Sequence, residues 1–179
     1  MSFPPKLLPL LLFLLCHVTP TSSSNVLVVS GIPGSHLFTM ADVAEVLVNF
    51  NFNVTLFSIN ADSRVDMRDR GFHFISVEDE ATSEKLMSSW TGVIEDILPL
   101  PSEDMLVDQI TATEKTREAC YTLSRTMKAH FEGEEFARTL EDGNYDVIVM
   151  DDYASMSAMV KLQEVNIPVI GINCLADMK

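Results

Sequence analysis

Basic residues are scarce in this chain. Only 12 Lys and Arg stand against 26 Asp and Glu, and the formal net charge at pH 7 is -14. Because nucleic-acid binding needs clustered cations that displace counterions from phosphates, this deficit argues against DNA or RNA partners. The hydrophobic fraction of 47% and the charged fraction of 21% are unlike those of disordered chains, so a packed core is expected. At 179 residues, the chain has room for one ordinary domain.

The motifs of several common active sites are missing. There is no H-E-x-x-H and no pair of closely spaced cysteines, so nothing in the sequence indicates a metal site. The glycine patterns that hold dinucleotides or the phosphates of ATP are absent from the loop after the first predicted strand. A serine hydrolase is disfavoured because His36 is followed by Leu37 rather than by the glycine of a G-x-S-x-G turn.

Long apolar runs are also lacking, with one exception at the start of the chain. Residues 7–18 are apolar but number only twelve, whereas a membrane-spanning helix needs about 20. Lys6 precedes this run and small polar residues follow it at residues 21–24, which is the layout of a secretory signal peptide over residues 1–24. We therefore expect the chain to enter the secretory pathway and to be lumenal or secreted.

Cysteine is rare once this leader is set apart. Cys120 and Cys174 remain, and a secretory compartment permits a disulfide between them, although both also fit as small buried residues. Residues 53–55 (Asn-Val-Thr) have the form of a glycosylation sequon. The sequon falls at a predicted strand, so a glycan requires that Asn53 lie at the exposed start of that strand.

Short apolar runs alternate with helical periodicity from residue 25 onward, which predicts an α/β fold with a parallel sheet covered by helices. The run at residues 26–29 is typical of a strand buried on both faces, and apolar residues then recur at helical spacing from Leu37 to Val48. Further strands are predicted at residues 54–59, 72–77, 145–150 and 167–172, and further helices at residues 134–140 and 154–164.

The middle of the chain, residues 79–132, contains no convincing strand. Apolar residues share one helical face there, among them Leu86 and Trp90. This much helix between strands predicts either the wall of a pocket or a cover for one face of the sheet, and periodicity alone does not separate the two.

Two residues stand where an open α/β sheet binds its ligands, beyond the carboxyl ends of the strands. His36 lies in the turn after the first strand, and Asp151 directly follows the strand at residues 145–150. A carboxylate beside an imidazole stabilises the imidazolium and leaves the other nitrogen to act as a general base. The alternatives are structural, because His36 is also a plausible first-turn residue and either Asp151 or Asp152 is a plausible helix N-cap.

Two stretches together resemble a known family. They are NVLVVSGIPGSHLFTMADVAEVLVNFNFNVTLFS near the start and YDVIVMDDYASMSAMVKLQEVNIPVIGI near the end. With the signal peptide, they are similar to the membrane-bound UDP-glycosyltransferases of animals, which include the UDP-glucuronosyltransferases. In that family a G-S-H turn follows the first strand and an Asp follows the later strand.

This resemblance implies that residues 25–179 are the acceptor-binding lobe of a two-lobed GT-B glycosyltransferase, with a Rossmann-like parallel sheet and helices on both faces. It implies that His36 is the catalytic base and that Asp151 supports it. Gly34 and Ser35 would shape the turn beside the substrate, and Trp90 would line a pocket for a small lipophilic acceptor. The family uses no metal or cofactor, and the UDP-sugar is a co-substrate held mainly by the carboxy-terminal lobe.

The sequence departs from the family in one large respect. The carboxy-terminal lobe with its UDP-sugar signature and the membrane anchor are absent from these 179 residues. Since positioning of the donor supplies much of such catalysis, this chain alone is expected to be inactive. The alternative hypothesis is a secreted or lumenal module that binds a lipophilic molecule or associates with full-length relatives.

Overall fold

The computed structural model describes most of the two α/β stretches of the chain. The described residues are 23–31, 34–59, 67, 69–77, 84, 88, 117, 121–122, 124–125 and 127–173. The predicted leader lies outside them except for its last two residues, and so do Trp90, Cys120 and Cys174. Within the described ranges, no helix combines the length and the apolar character that a membrane crossing requires.

Five parallel strands form a single sheet. They are β1 (Asn25–Ser30), β2 (Asn53–Ile59), β3 (His73–Val77), β4 (Val147–Asp151) and β5 (Val169–Ile172). Their order across the sheet is β3-β2-β1-β4-β5, and every neighbouring pair is parallel. This is the order of the first five strands of a Rossmann sheet, so the predicted fold class is confirmed.

The central strands are apolar on both faces because helices cover both. In β1, the residues from Val26 to Val29 are all fully buried. Valine also favours this position because its branched side chain packs well on a pleated surface. Such a strand shows no alternation of apolar and polar residues, so its sequence is a continuous apolar run.

Three helices have defined bounds, α1 (Ser35–Asn49), α2 (Glu134–Asp142) and α3 (Asp152–Leu162). Helix α1 packs on one face of the sheet, where its buried residues meet Val26, Val28 and Val149. Helices α2 and α3 pack on the other face, together with helical residues 127–131. The prediction of helices on both faces is therefore confirmed.

Three phenylalanines form the centre of the second face. Phe136 of α2 lies 5.1 Å from Phe57 of β2 and 4.9 Å from Phe131, measured between ring centroids. Phe131 also lies 6.5 Å from Phe57. Aromatic pairs at such distances add to the free energy gained from burial, so this cluster holds the segment that precedes α2 against the sheet.

Three strands begin later than their sequence patterns predict, and β3 differs least, because it begins at His73 rather than at residue 72. β4 begins at Val147 rather than at residue 145, and Asp146 just before it is held to the start of β1 by two hydrogen bonds, since its Oδ2 accepts the backbone N–H of Asn25 and its N–H donates to the Asn25 carbonyl, both at 2.9 Å. β5 begins at Val169 because Pro168 has no N–H to donate to the ladder. The Pro168 carbonyl still accepts the N–H of Ile148 at 2.9 Å, so hydrogen bonding to β4 starts one residue before β5 does.

Candidate functional site

The candidate site lies where the strand order reverses. β1 is central, and the chain continues from it toward β2 on one side and later returns to β4 on the other. The crevice between the carboxyl ends of two such strands is the usual ligand site of an open α/β sheet. Here it is bordered by the turn after β1, by the first residues of α1 and by Asp151 at the end of β4.

Glycine is required at two points of the turn between β1 and α1, for different reasons. A Cβ on Gly31 would lie 2.9 Å from the backbone nitrogen of Ala154 and would also meet the Cε of Met127, so the turn passes too close to α3 for a side chain. Gly34 has a φ of 81° and a ψ of -132°, a backbone conformation that other residues rarely adopt. Gly31 therefore allows a close approach, and Gly34 allows the chain to enter α1.

Asp151 is fully buried and is held by two backbone N–H groups. Its Oδ2 accepts the N–H of Gly31 at 2.9 Å, and its Oδ1 accepts the N–H of Ala154 at 2.6 Å. Burial raises the pKa of Asp151, while the hydrogen bonds from Ala154 and Gly31 and the nearby His36 act in the opposite direction. Asp151 thus caps α3 and also ties the turn after β1 to the end of β4.

His36 is the second residue of α1 and is only 8% exposed. Its Nδ1 lies 3.8 Å from the Oδ2 of Asp151. This distance is longer than a hydrogen bond but short enough for strong attraction once the imidazole is protonated. The structure therefore brings together two predicted residues that are far apart in sequence, and one carboxylate serves both the helix cap and the imidazole.

Asp152 stands beside this pair as the first residue of α3. Ligand-type atoms of His36, Asp151 and Asp152 all lie within 4.8 Å of one another. Both oxygens of Asp151 already accept backbone N–H groups, so a metal ion there would compete with the cap of α3 and with the Gly31 turn. The hydrogen bonding identifies Asp151 rather than Asp152 as the capping residue, which the sequence left open.

A row of serines extends from Asp151 across the sheet, and sequence analysis missed it. Ser30 donates to the Oδ2 of Asp151 at 3.5 Å, and the register pairs Ser30 with Ser58 and Ser58 with Ser76. Within the part of the chain that the structure describes, the buried hydroxyls of Ser58 and Ser76 have no hydrogen-bond partner. We call Ser30, Ser58 and Ser76 the serine row. Its signal in the sequence is one serine near the carboxyl end of each of β1, β2 and β3.

The other predicted substrate-binding residues are less defined. Gly34 lies at the start of α1 beside His36, where its conformation sets the direction of the helix. Ser35 is the first residue of α1, but its side chain is outside the described residues, and Trp90 is wholly outside them. Their assignment to the substrate stays a prediction.

Comparison with known proteins gives a likeness of fold. No protein-family model matches the chain, and no curated protein matches it. A solved UGT transferase from Siraitia grosvenorii, crystallised in complex with UDP, resembles it with a TM-score of 0.44 and 16% identity. The glycotransferase of kitacinnamycin resembles it with a TM-score of 0.44 and 17% identity. These matches cover 83% and 84% of this chain but only 28% and 30% of the other two, so the chain spans less than a third of their length.

Proposed function

We propose that this chain is the acceptor-binding part of an inverting UDP-glycosyltransferase in which His36 is the general base. The observation that carries the proposal is the buried pair of His36 and Asp151, with 3.8 Å between Nδ1 and Oδ2, at the point where the strand order reverses. The reaction class is proposed from the resemblance of the two quoted stretches to the UDP-glycosyltransferases, a family in which a histidine base works with an aspartate.

The proposed reaction requires one proton transfer and one displacement. Nε2 of His36 takes the proton of an acceptor hydroxyl as the oxygen attacks the anomeric carbon of a UDP-sugar. The bond between that carbon and the diphosphate breaks, UDP leaves, and the configuration at the carbon inverts. The carboxylate of Asp151 stabilises the imidazolium that forms, which is the role of an acidic residue beside a histidine base.

The donor must be held by a part of the protein beyond the acceptor lobe. Orienting two reactants supplies a large share of the rate of a bimolecular reaction, and a base without a positioned anomeric carbon supplies little. We propose that the acceptor is small and lipophilic, that the sugar is glucuronic acid or glucose, and that residues 25–179 alone bind acceptor without transferring sugar.

The test uses the protein joined to its donor-binding lobe and expressed in a secretory host. Transfer from UDP-glucuronic acid and from UDP-glucose to simple phenols is measured for wild type, His36→Ala and Asp151→Asn. His73→Ala is the matched control, because His73 is exposed at the opposite end of the sheet. His36→Ala should lower kcat by about 100-fold or more while UDP binding is kept, since general-base catalysis contributes about 10²–10⁴-fold.

Transfer that survives His36→Ala at the wild-type rate would remove His36 from this role. Binding of phenols to residues 25–179, with no transfer by any longer form of the protein, would instead favour the lumenal binding module. Co-purification of residues 25–179 with a full-length relative would indicate that this module associates with that relative and regulates it.

A further inference from the structure

The sequon at residues 53–55 occupies the exposed start of a strand. Asn53 is the first residue of β2 and is exposed, whereas Val54 is only 2% exposed. Residues 53–55 are the only Asn-x-Ser/Thr triplet in the 179 residues. The structure thus meets the condition under which the sequence allows a glycan at this asparagine.

Asn53 lies at the end of the sheet opposite the candidate site. It pairs with Asn25 at the amino end of β1, whereas His36 and Asp151 lie at the carboxyl ends of β1 and β4. At about 3.3 Å per residue, the seven residues of β2 separate the two ends by about 20 Å. A bulky, hydrated group on Asn53 therefore leaves the crevice open.

The side-chain contacts of Asn53 tolerate a substituent. Its Nδ2 donates to the Oδ1 of Asn25 at 2.7 Å in an exposed hydrogen bond. A glycosylated amide keeps one N–H, and an exposed hydrogen bond contributes little net stability if it is lost. The backbone N–H of Asn53 donates separately to the carbonyl of Ser24 at 3.0 Å, so the strand start is held without the side chain.

We propose that Asn53 carries an N-linked oligosaccharide. In the attachment step, a bond forms between Nδ2 and the anomeric carbon of a lipid-linked oligosaccharide diphosphate. The amide loses one proton, and the lipid diphosphate leaves. In the folded chain Val54 is buried, Thr55 is hydrogen-bonded to Tyr145, and β2 is paired on both sides. The transfer therefore takes place on the extended chain, before β2 joins the sheet.

This proposal is independent of the proposed glycosyl transfer, but it requires that the chain enter the secretory pathway. The experiment expresses the full chain in a eukaryotic secretory cell and compares electrophoretic mobility before and after endoglycosidase treatment. Wild type should show a single step in mobility. Asn53→Gln and Thr55→Val should lack it, and Thr55→Ser should keep it, because serine preserves the sequon.

Two further measurements separate modification from folding and from translocation. Because Asn53 is exposed, the circular dichroism and Tm of Asn53→Gln should match those of enzymatically deglycosylated wild type. An unshifted wild-type chain overturns the proposal. Residues 25–179 fused to an established secretory leader then identify the cause. A mobility shift in this form alone would show that the native leader does not direct the chain into the secretory pathway. No shift in either form assigns the failure to the sequon.

Discussion

Burial and hydrogen bonding have opposite effects on the charge of Asp151, because burial favours the neutral acid whereas its contacts with Gly31, Ala154 and His36 favour the carboxylate. It accepts the N–H groups of Gly31 and Ala154 and faces His36, all while fully buried. Burial raises its pKa above the ordinary value of 3.8, so the native state holds this proton more tightly than the unfolded chain does. Stability from this group is complete below pH 3.8 and is lost as the pH rises through the higher native pKa.

The first prediction follows from the raised pKa of Asp151 in the native state. Asp151→Asn should lower the free energy of unfolding by about 1 kcal/mol or more, because one backbone N–H loses its acceptor. The advantage of wild type over this variant should be largest in acid and should shrink as the pH rises through the window above 3.8. Urea unfolding of both proteins across that range measures the difference. A difference that stays constant or grows with pH would contradict the burial argument.

The second prediction concerns the serine row. A buried hydroxyl without a partner costs about 1–3 kcal/mol, and Ser58 is fully buried with no partner among the described residues. Ser58→Ala should therefore raise the free energy of unfolding by about 1 kcal/mol, as measured by urea denaturation. The contrasting change is Thr139→Val in α2, where the hydroxyl donates to the Glu135 carbonyl at 2.8 Å. That change should lower stability by about 1 kcal/mol. A loss of stability in Ser58→Ala would show that this hydroxyl is satisfied.

At the scale of the element, the turn between β1 and α1 gives the third prediction. Gly34→Ala meets no atom within 4 Å, so its cost is that of the positive φ alone, about 1–3 kcal/mol. Gly31→Ala should cost more, because its Cβ meets the backbone of Ala154 at 2.9 Å and α3 must shift. Gly171→Ala, with nothing within 4 Å and no positive φ, is the control and should change stability by less than about 0.5 kcal/mol.

Comparing stability with sugar transfer distinguishes the roles of Gly31 and Gly34. Under the proposed function, Gly31→Ala should also reduce sugar transfer when the chain is joined to a donor-binding lobe, because the Gly31 N–H anchors Asp151. Gly34→Ala should affect stability first. Equal effects of Gly31→Ala and Gly171→Ala would mean that the turn does not pass close to the backbone of Ala154 in α3.

The elements themselves were largely readable from the sequence, because their signals are local. Buried β-branched runs predicted β1 and β4, and the stripe from Leu37 to Val48 predicted α1, which spans Ser35–Asn49. The pairing of the serines across β1, β2 and β3 and the need for glycine at position 31 could not be predicted. Both depend on which residues lie side by side across strands and helices, and register and close approach are set by the whole sheet rather than by neighbours in sequence.

At the scale of the molecule, the sheet separates two cores that are built in different ways. The face under α1 draws on one continuous helix, whereas the other face combines α2, α3 and helical residues 127–131. Phe131 is the residue of that short segment with the largest buried side chain, and it packs on both Phe57 and Phe136. The same segment carries Met127, which lies against Gly31 of the candidate site.

The fourth prediction is that Phe131 supports the fold and the site together. Phe131→Ala should lower the free energy of unfolding by about 3–5 kcal/mol, the usual cost of removing a buried aromatic ring. Because small domains are stable by only about 5–15 kcal/mol, the variant should unfold well below the wild-type temperature. Phe38→Ala is the matched control, since that ring on α1 is 49% exposed and should matter by less than about 0.5 kcal/mol. Phe131→Leu, which fills most of the space, should recover much of the loss. An equal loss of Tm in Phe131→Ala and Phe38→Ala, measured by calorimetry, would contradict this prediction. It would show that the core between the sheet, α2 and α3 does not depend on residues 127–131.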